Sequence, residues 1–139
     1  MIFYKTIVKI IFFCSLFLSS LTDAENITDA CFNEIEADPG IISSCLDKII
    51  NVTDRELQAW VNLHQFDLKE EGSRSALKSF TRSQNDFTIY RESTCHWQYL
   101  AFTLNEKAGL AYKKCYISLN QQRIDELSRF SDIVNSKTK

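Results

Sequence analysis

The sequence is poor in residues that break helices, with one proline and three glycines in 139 residues. Pro39 adjoins Gly40, and the remaining glycines are Gly72 and Gly109. Glycine and proline punctuate secondary structure, so the long stretches between them favour long regular elements. No stretch alternates apolar and polar residues as a half-buried strand would. The chain after residue 24 is therefore predicted to form four helical segments, the first of them short, at about 28–37, 42–70, 74–104 and 110–134.

Apolar residues recur within these segments at helical spacing. Leu46, Ile49, Leu57 and Val61 share one face of the second segment. The third segment has a heptad-like seam that polar residues interrupt twice. At about 1.5 Å rise per residue, segments two and three would each be roughly 40–45 Å long, which suits a helical hairpin. We predict an all-α fold: a small antiparallel bundle of about four helices in a single domain spanning residues 25–139.

Long apolar runs are missing except at the start of the chain. Lys5 and Lys9 precede an apolar stretch at 10–18, and Ala24 fits a loose small-residue cleavage pattern. This order is typical of a secretory signal peptide, predicted at residues 1–24. A retained membrane anchor is the alternative, although the run is short for crossing a bilayer. We expect export to the periplasm or the medium, with no membrane span after signal removal.

The chain also lacks an excess of positive charge. Removing residues 1–24 takes away two lysines and one aspartate, which changes the formal charge from −2 to −3, 14 basic against 17 acidic side chains. Nucleic-acid binding usually requires a basic patch, so the balance argues against a nucleic-acid partner. It fits a protein partner of basic character, and a charge this small is also ordinary for a soluble domain. Two acidic clusters adjoin predicted turns: Glu34, Glu36 and Asp38; and Asp67, Glu70 and Glu71.

Four cysteines follow the predicted signal peptide: Cys31, Cys45, Cys95 and Cys115. An even number in a short exported chain implies disulfides, and three pairings are possible. In an up-down bundle, the first and third connections lie at the same end. Sequential pairing would therefore staple each of these connections, Cys31 to Cys45 and Cys95 to Cys115. Each closure is worth about 3 kcal/mol in the loop-entropy model.

The patterns of several enzyme and metal chemistries are absent. Cys95 and His96 are adjacent, so on a helix they point about 100° apart, and an oxidised Cys95 is no nucleophile. There is no C-x2–4-C pair for zinc and no glycine-rich phosphate loop. The acidic clusters fit solvated loops better than acid–base pairs. We expect a non-enzymatic protein with no metal site and no cofactor.

Two arginines, Arg91 and Arg123, fall in or beside apolar stripes. A buried arginine needs acidic or carbonyl partners. Asp54 and Glu56 on the second segment are the candidate ion-pair partners, and the residue order does not choose between them. The alternative is an arginine that binds a partner protein.

Three stretches resemble one family, the lysozyme inhibitor LprI-like N-terminal domain. "SSCLDKIINVTDRELQAW" is similar to its Cys-Leu…Asp-x-x-Leu opening, and "SQNDFTIYRESTC" to its next motif. "CYISLNQQRIDEL" resembles the closing motif, and Cys31 completes the cysteine set. The positions that carry the resemblance, besides the cysteines, are Asp54, Leu57, Gln84, Phe87, Arg91, Arg123 and Leu127. The family usually has Trp at the position of Phe87 and Arg-Asp-Ala at Arg91-Glu92-Ser93.

The resemblance implies an exported, helical, disulfide-bonded protein that binds a lysozyme-like peptidoglycan hydrolase. The founding type is a lipoprotein, and this chain lacks the lipid-attachment cysteine. Our hypothesis is inhibition by occlusion, in which the turn bearing Glu34, Glu36 and Asp38 enters the active-site cleft. The alternatives are a periplasmic immunity protein against a secreted antibacterial toxin, and an envelope-associated structural module.

Overall fold

The structure, a computed structural model, describes residues 27–32, 38–102 and 107–137. A short helical turn at 27–29 precedes three long helices: α1 (Pro39–Glu70), α2 (Arg74–Ala101) and α3 (Ala108–Lys137). The described ranges contain no strand. The all-α prediction with a short first segment is therefore confirmed, and the predicted signal peptide lies outside the described residues.

Both ends of α1 follow from local sequence. Pro39 occupies the first turn, where its missing N–H costs nothing, and the Asp38 carboxylate accepts from the Gly40 N–H at 2.6 Å. The helix thus begins three residues before the predicted Ile42, because Pro39-Gly40 lies inside its first turn. At the other end, Gly72 adopts φ 69° and closes a Schellman motif. In that motif the Ser73 N–H donates to the Leu68 carbonyl and the Gly72 N–H to the Lys69 carbonyl.

Helix α3 packs against both other helices, parallel to α1 and antiparallel to α2. Lys113 bonds Asp47 near the start of α1, and His64 approaches the Leu127 carbonyl near its end, which sets the parallel register. The Cys95–Cys115 disulfide sets the antiparallel register of α2. The start of α1, the end of α2 and the start of α3 consequently meet at one end of the bundle, which we call the disulfide end.

Two apolar clusters form the core. The first, toward the Gly72 end, buries Leu57, Val61, Ile124 and Leu127, with Phe87 packed against it. The second, at the disulfide end, is built from Cys31, Leu46 and Ile117. A layer of buried polar residues lies between them: Thr53, Arg91, Asn120 and Arg123.

The end of the third segment also differs from the sequence-based expectation. α2 ends at Ala101, where the Phe102 N–H turns back to the Tyr99 carbonyl, rather than at Leu104. On α3, Phe130 is 53% exposed and meets the bundle through an edge contact with the His64 ring. Within the described ranges, no helix combines the length and hydropathy needed to cross a membrane.

Candidate functional site

The disulfide end is one of two places where the residues singled out from the sequence gather. Cys31 bonds Cys45 and Cys95 bonds Cys115, each with an S–S distance of 2.05 Å, so the predicted sequential pairing is confirmed. Asp38 lies between the first two cysteines, exposed, as the N-cap of α1. Its predicted companions Glu34 and Glu36 lie outside the described residues.

The second place is the polar layer, where Arg91 links all three long helices. Its guanidinium donates to the Asn120 Oδ1 at 2.6 Å and lies 3.7 Å from the Asp54 carboxylate and 3.6 Å from Glu92. It also stacks on the Tyr116 ring, 3.9 Å from its centroid. Of the two partners considered for the buried arginines, Asp54 therefore adjoins Arg91, whereas Glu56 is exposed.

Asn120 is fully buried and completes this network. Besides accepting from Arg91, its carboxamide donates to Asp54 at 2.7 Å and to the Thr53 hydroxyl at 3.3 Å. The Thr53 hydroxyl is in turn within 3.1 Å of the Ile49 and Ile50 carbonyls, so it donates back into its own helix. A buried polar group is costly unless its hydrogen bonds are made, and here the α1 and α2 side chains meet on one amide of α3.

Arg123 forms a separate contact set one turn further along α3. It donates to the Ser83 hydroxyl at 2.9 Å and to the Glu126 carboxylate at 2.7 Å. The orientation of the Gln84 carboxamide that satisfies both groups turns its oxygen toward Arg123, at 2.6 and 3.1 Å from two guanidinium nitrogens. Arg91 and Arg123 lie over the Phe87 ring, at 5.5 and 5.7 Å from its centroid.

The structure therefore brings all seven non-cysteine motif positions into one neighbourhood. Leu57 and Leu127 form the apolar floor, and Phe87 lies between the two arginines. Asp54 contacts Arg91, and Gln84 contacts Arg123. Sequence reasoning missed Asn120 and Tyr116. Their spacing was the signal in the sequence. Asn120 lies three residues before Arg123, and Tyr116 lies four residues before Asn120, so all three share the buried face of α3.

A polar groove of about 440 Å³ lies over this neighbourhood, between α1 and α2. Amide and hydroxyl side chains dominate its rim, among them Gln58, Asn85 and Thr88, and Arg91 lines its floor. The Arg91 cation is already committed to Asn120, Asp54 and Tyr116, with its Nε buried and lacking a hydrogen bond among the described residues. The arrangement fixes the relative positions of three helices rather than presenting a reactive group.

The nucleophile and base candidates are also occupied. Cys95 is disulfide-bonded and fully buried. The His64 Nε2 lies 2.9 Å from the Leu127 carbonyl, a geometry in which the ring donates to that oxygen. His96 stacks on the neighbouring Tyr99 ring at 6.3 Å. No group of three metal-ligating side chains occurs in the part of the chain that the structure describes.

Burial and a carboxylate neighbour raise the pKa of Tyr112 to about 12. Its hydroxyl donates to Glu92 at 2.7 Å, and the loss of solvation contributes most to the shift. Tyr116 likewise has a pKa raised by burial, against the lowering effect of the Arg91 charge. These tyrosines remain neutral donors at physiological pH, which suits the hydrogen bond between α3 and α2.

Fold and site together define a class: small, disulfide-stapled helical bundles whose buried arginines join the helices. The model of the lysozyme inhibitor LprI family matches residues 33–127 of this chain. The chain belongs to that family, which confirms the resemblance drawn from the motifs. No curated protein and no solved structure matches the chain. The family is described as one of inhibitors, which is consistent with a binding role, and the two disulfides fit an oxidising compartment.

Proposed function

We propose that this protein is exported and inhibits a lysozyme-like peptidoglycan hydrolase by covering its active-site cleft. The observation that carries the proposal is family membership over residues 33–127, joined to a bundle end closed by two disulfides. Inhibition by occlusion asks only for a rigid, complementary surface. That requirement fits a protein whose Cys95 is disulfide-bonded and whose His64 is hydrogen-bonded to the Leu127 carbonyl.

The disulfide end is the proposed contact region because the Cys31–Cys45 bond joins the chain on either side of Glu34 and Glu36. The Cys31–Cys45 bond closes a loop whose two cysteines are 14 residues apart, and its far side is fixed by the Asp38 cap on α1. A loop held near its bound shape loses less conformational freedom on binding. Reduction of this disulfide would therefore weaken inhibition even if α1, α2 and α3 stayed packed.

The acidic side chains of this loop would guide the encounter with the hydrolase. Asp38 is exposed, and Glu34 and Glu36 precede it in the closed loop. Acidic side chains attract a basic cleft rim, speed the encounter and lose influence as salt screens them. This acidic turn is proposed as the element that enters the cleft, in the periplasm or in the medium.

The test is inhibition of cell-wall lysis by a panel of lysozymes at low and moderate salt, using disulfide-intact protein without residues 1–24. The variant E34Q/E36Q/D38N removes the three charges, and Asn at 38 preserves the helix cap. The matched control D67N/E70Q/E71Q removes three exposed charges at the Gly72 end. We expect the first variant to lose about tenfold in affinity at low salt, mainly through slower association. The control should change less than about twofold.

Equal behaviour of the two triple variants would refute the acidic-turn assignment while leaving inhibition itself intact. Wild-type protein that neither binds nor inhibits any member of the panel would refute the proposed function. A search for a secreted toxin as the bound partner would then test the immunity-protein alternative. Loss of envelope integrity on deletion, with no enzyme partner recovered, would favour the structural-module alternative.

A further inference from the structure

The polar groove of about 440 Å³ between α1 and α2 has no part in the function proposed above. Helix α3 packs against both of these helices, whereas α1 and α2 pack less extensively against each other. Each of the two helices contributes one polar stripe to the groove, at intervals of three, four or seven residues that keep side chains on one face. The stripes include Asp54, Gln58 and Gln65 on α1, and Thr81, Asn85 and Thr88 on α2.

The composition of this groove differs from that of an ordinary seam between bundle helices, which is apolar. Leu57, Val61 and Phe87 contribute apolar surface, but polar atoms form most of the lining. Two helices lined in this way gain little by expelling the water between them. The groove therefore has room for a ligand that replaces that water with its own polar groups.

The protein satisfies only part of the hydrogen-bonding capacity of the groove. Within the described ranges, the side-chain carboxamides of Gln65 and Asn85 have no hydrogen-bond partner. The Thr81 and Thr88 hydroxyls each donate to a carbonyl of their own helix, so their oxygens can still accept. The buried Nε of Arg91, on the groove floor, also lacks a partner among the described residues. Donors and acceptors are thus both in surplus.

The charges of the groove disfavour an ionic ligand. Asp54 and Arg91 are the charged side chains of its described lining, and they compensate each other at 3.7 Å. Arg82, next to the groove residue Thr81, is paired with Asp86 at 3.7 Å in the same way. A phosphate or sulfate group is usually held by cations that have no carboxylate partner. A helical or extended peptide usually needs pockets for its apolar side chains, and this lining is mostly polar.

We propose that the groove binds a short neutral oligosaccharide whose sugar rings carry hydroxyl and acetamido groups. Carboxamide side chains match both groups, because each carboxamide donates and accepts hydrogen bonds. The apolar floor suits the C–H faces of the sugar rings. The α2 stripe from Thr81 to Arg91 is about 15 Å long at 1.5 Å per residue. The groove volume lies within the roughly 300–1,000 Å³ of small-molecule sites. This inference does not depend on hydrolase inhibition, because sugar binding is a property of the protein alone.

The experiment is an NMR titration of isotope-labelled, disulfide-intact protein with triacetylchitotriose, which follows the N–H signals of the backbone and of the side-chain carboxamides. We expect saturable shifts confined to groove residues, the Gln65 and Asn85 carboxamides among them. The dissociation constant should be about 1 mM or lower, as for a ligand held by a few hydrogen bonds.

Two double variants separate the groove from the rest of the surface. Q65A/N85A removes the two unpaired carboxamides and should weaken triacetylchitotriose binding about tenfold. The matched control Q121A/Q122A removes two carboxamides of α3 that do not line the groove, and should stay within about twofold of wild type. Thermal unfolding of each variant checks that the bundle is intact. Equal affinities of the two variants would overturn the proposal, as would the absence of groove shifts at about 10 mM triacetylchitotriose.

Three further ligands test the chemical class. Cellotriose has the same linkage and no acetamido groups, so it should bind at least about fivefold more weakly, and equal binding would overturn the acetamido assignment. Tighter binding of acetylated tetra-alanine amide at the same residues would replace the sugar by a peptide backbone. Inorganic phosphate that shifts the same signals at lower concentration would overturn the neutral ligand. Sugar binding without hydrolase inhibition would refute the function proposed above and leave this inference standing, and inhibition without sugar binding would do the reverse.

Discussion

Replacing Asn120 should lower the free energy of unfolding by more than the small size of its side chain suggests. It is fully buried on α3 and joins Arg91 of α2 to Asp54 and Thr53 of α1. Asn120→Ala removes all three hydrogen bonds and leaves the Arg91 guanidinium, 10% exposed, with carboxylates no nearer than 3.6 Å. The change therefore removes the point at which the three helices meet.

The magnitude follows from the three contacts. The bond to the Arg91 cation is worth about 1.5–3 kcal/mol, and the two bonds from the amide to Asp54 and Thr53 about 1 kcal/mol each, since Asp54 is partly solvated. Together they predict a loss of about 3.5–5 kcal/mol in the free energy of unfolding. That is a large share of the roughly 5–15 kcal/mol typical of a domain. The variant should still fold at 25 °C and unfold at a clearly lower urea concentration.

The assay is urea unfolding followed by circular dichroism at 222 nm, with both disulfides intact. The matched control is Gln122→Ala, an exposed amide on the same helix, which should change the free energy of unfolding by less than about 0.5 kcal/mol. A double-mutant cycle with Arg91→Met should show a coupling of about 1–3 kcal/mol, because both changes disrupt the same bond. A cost below about 1 kcal/mol for Asn120→Ala, or no coupling, would refute the view that this network holds the three helices together.

Two further outcomes test local features. Gly72→Ala should lower the free energy of unfolding in urea by about 1–2 kcal/mol, because φ 69° strains any L side chain although the added methyl group meets nothing within 4 Å. The control Gly109→Ala is equally unobstructed and lacks that φ, so it should be neutral or slightly stabilising. Equal effects of the two substitutions would contradict the assignment of Gly72 to the helix cap. Absorbance at 295 nm should show a tyrosine titrating with a pKa about 12 that disappears in Tyr112→Phe. Because the folded pKa of Tyr112 is the higher one, the stability that it contributes is present below pH 10 and is lost as pH rises from 10 toward 12. A titration complete by pH 10.5 would argue against the burial of Tyr112 and its contact with Glu92.

The broad fold could be predicted from sequence because its determinants are local. Breakers at Pro39, Gly72 and Gly109 and helical spacing between them indicate long helices, and an up-down order then places the cysteines in neighbouring pairs. Where the prediction erred, the competing effect was also local. Pro39-Gly40 has the composition of a turn, whereas proline is favoured in a first helical turn when a residue such as Asp38 caps the helix.

Part of the site could not be predicted from the spacing of residues in the sequence. Arg91 and Arg123 could be recognised as polar interruptions of apolar stripes, but spacing alone could not choose between Asp54 and Glu56. That choice depends on the rotation of α1 about its own axis, which packing against α3 fixes. Nor could periodicity reveal that Asn120 is fully buried, or that Trp97 and Ile89 face outward, because an amphipathic pattern does not state which apolar side is covered.

The helical class, the number of segments and the pairing of cysteines were all accessible from sequence, since each depends on residues near one another along the chain or on chain order. The three-helix meeting at Asn120, the partner of each arginine and the exposure of Ile89 and Trp97 were settled by packing. Those features depend on the parallel register of α1 with α3 and the antiparallel register of α2. Registers arise from the fit of side chains distant in sequence, and no single segment contains that information.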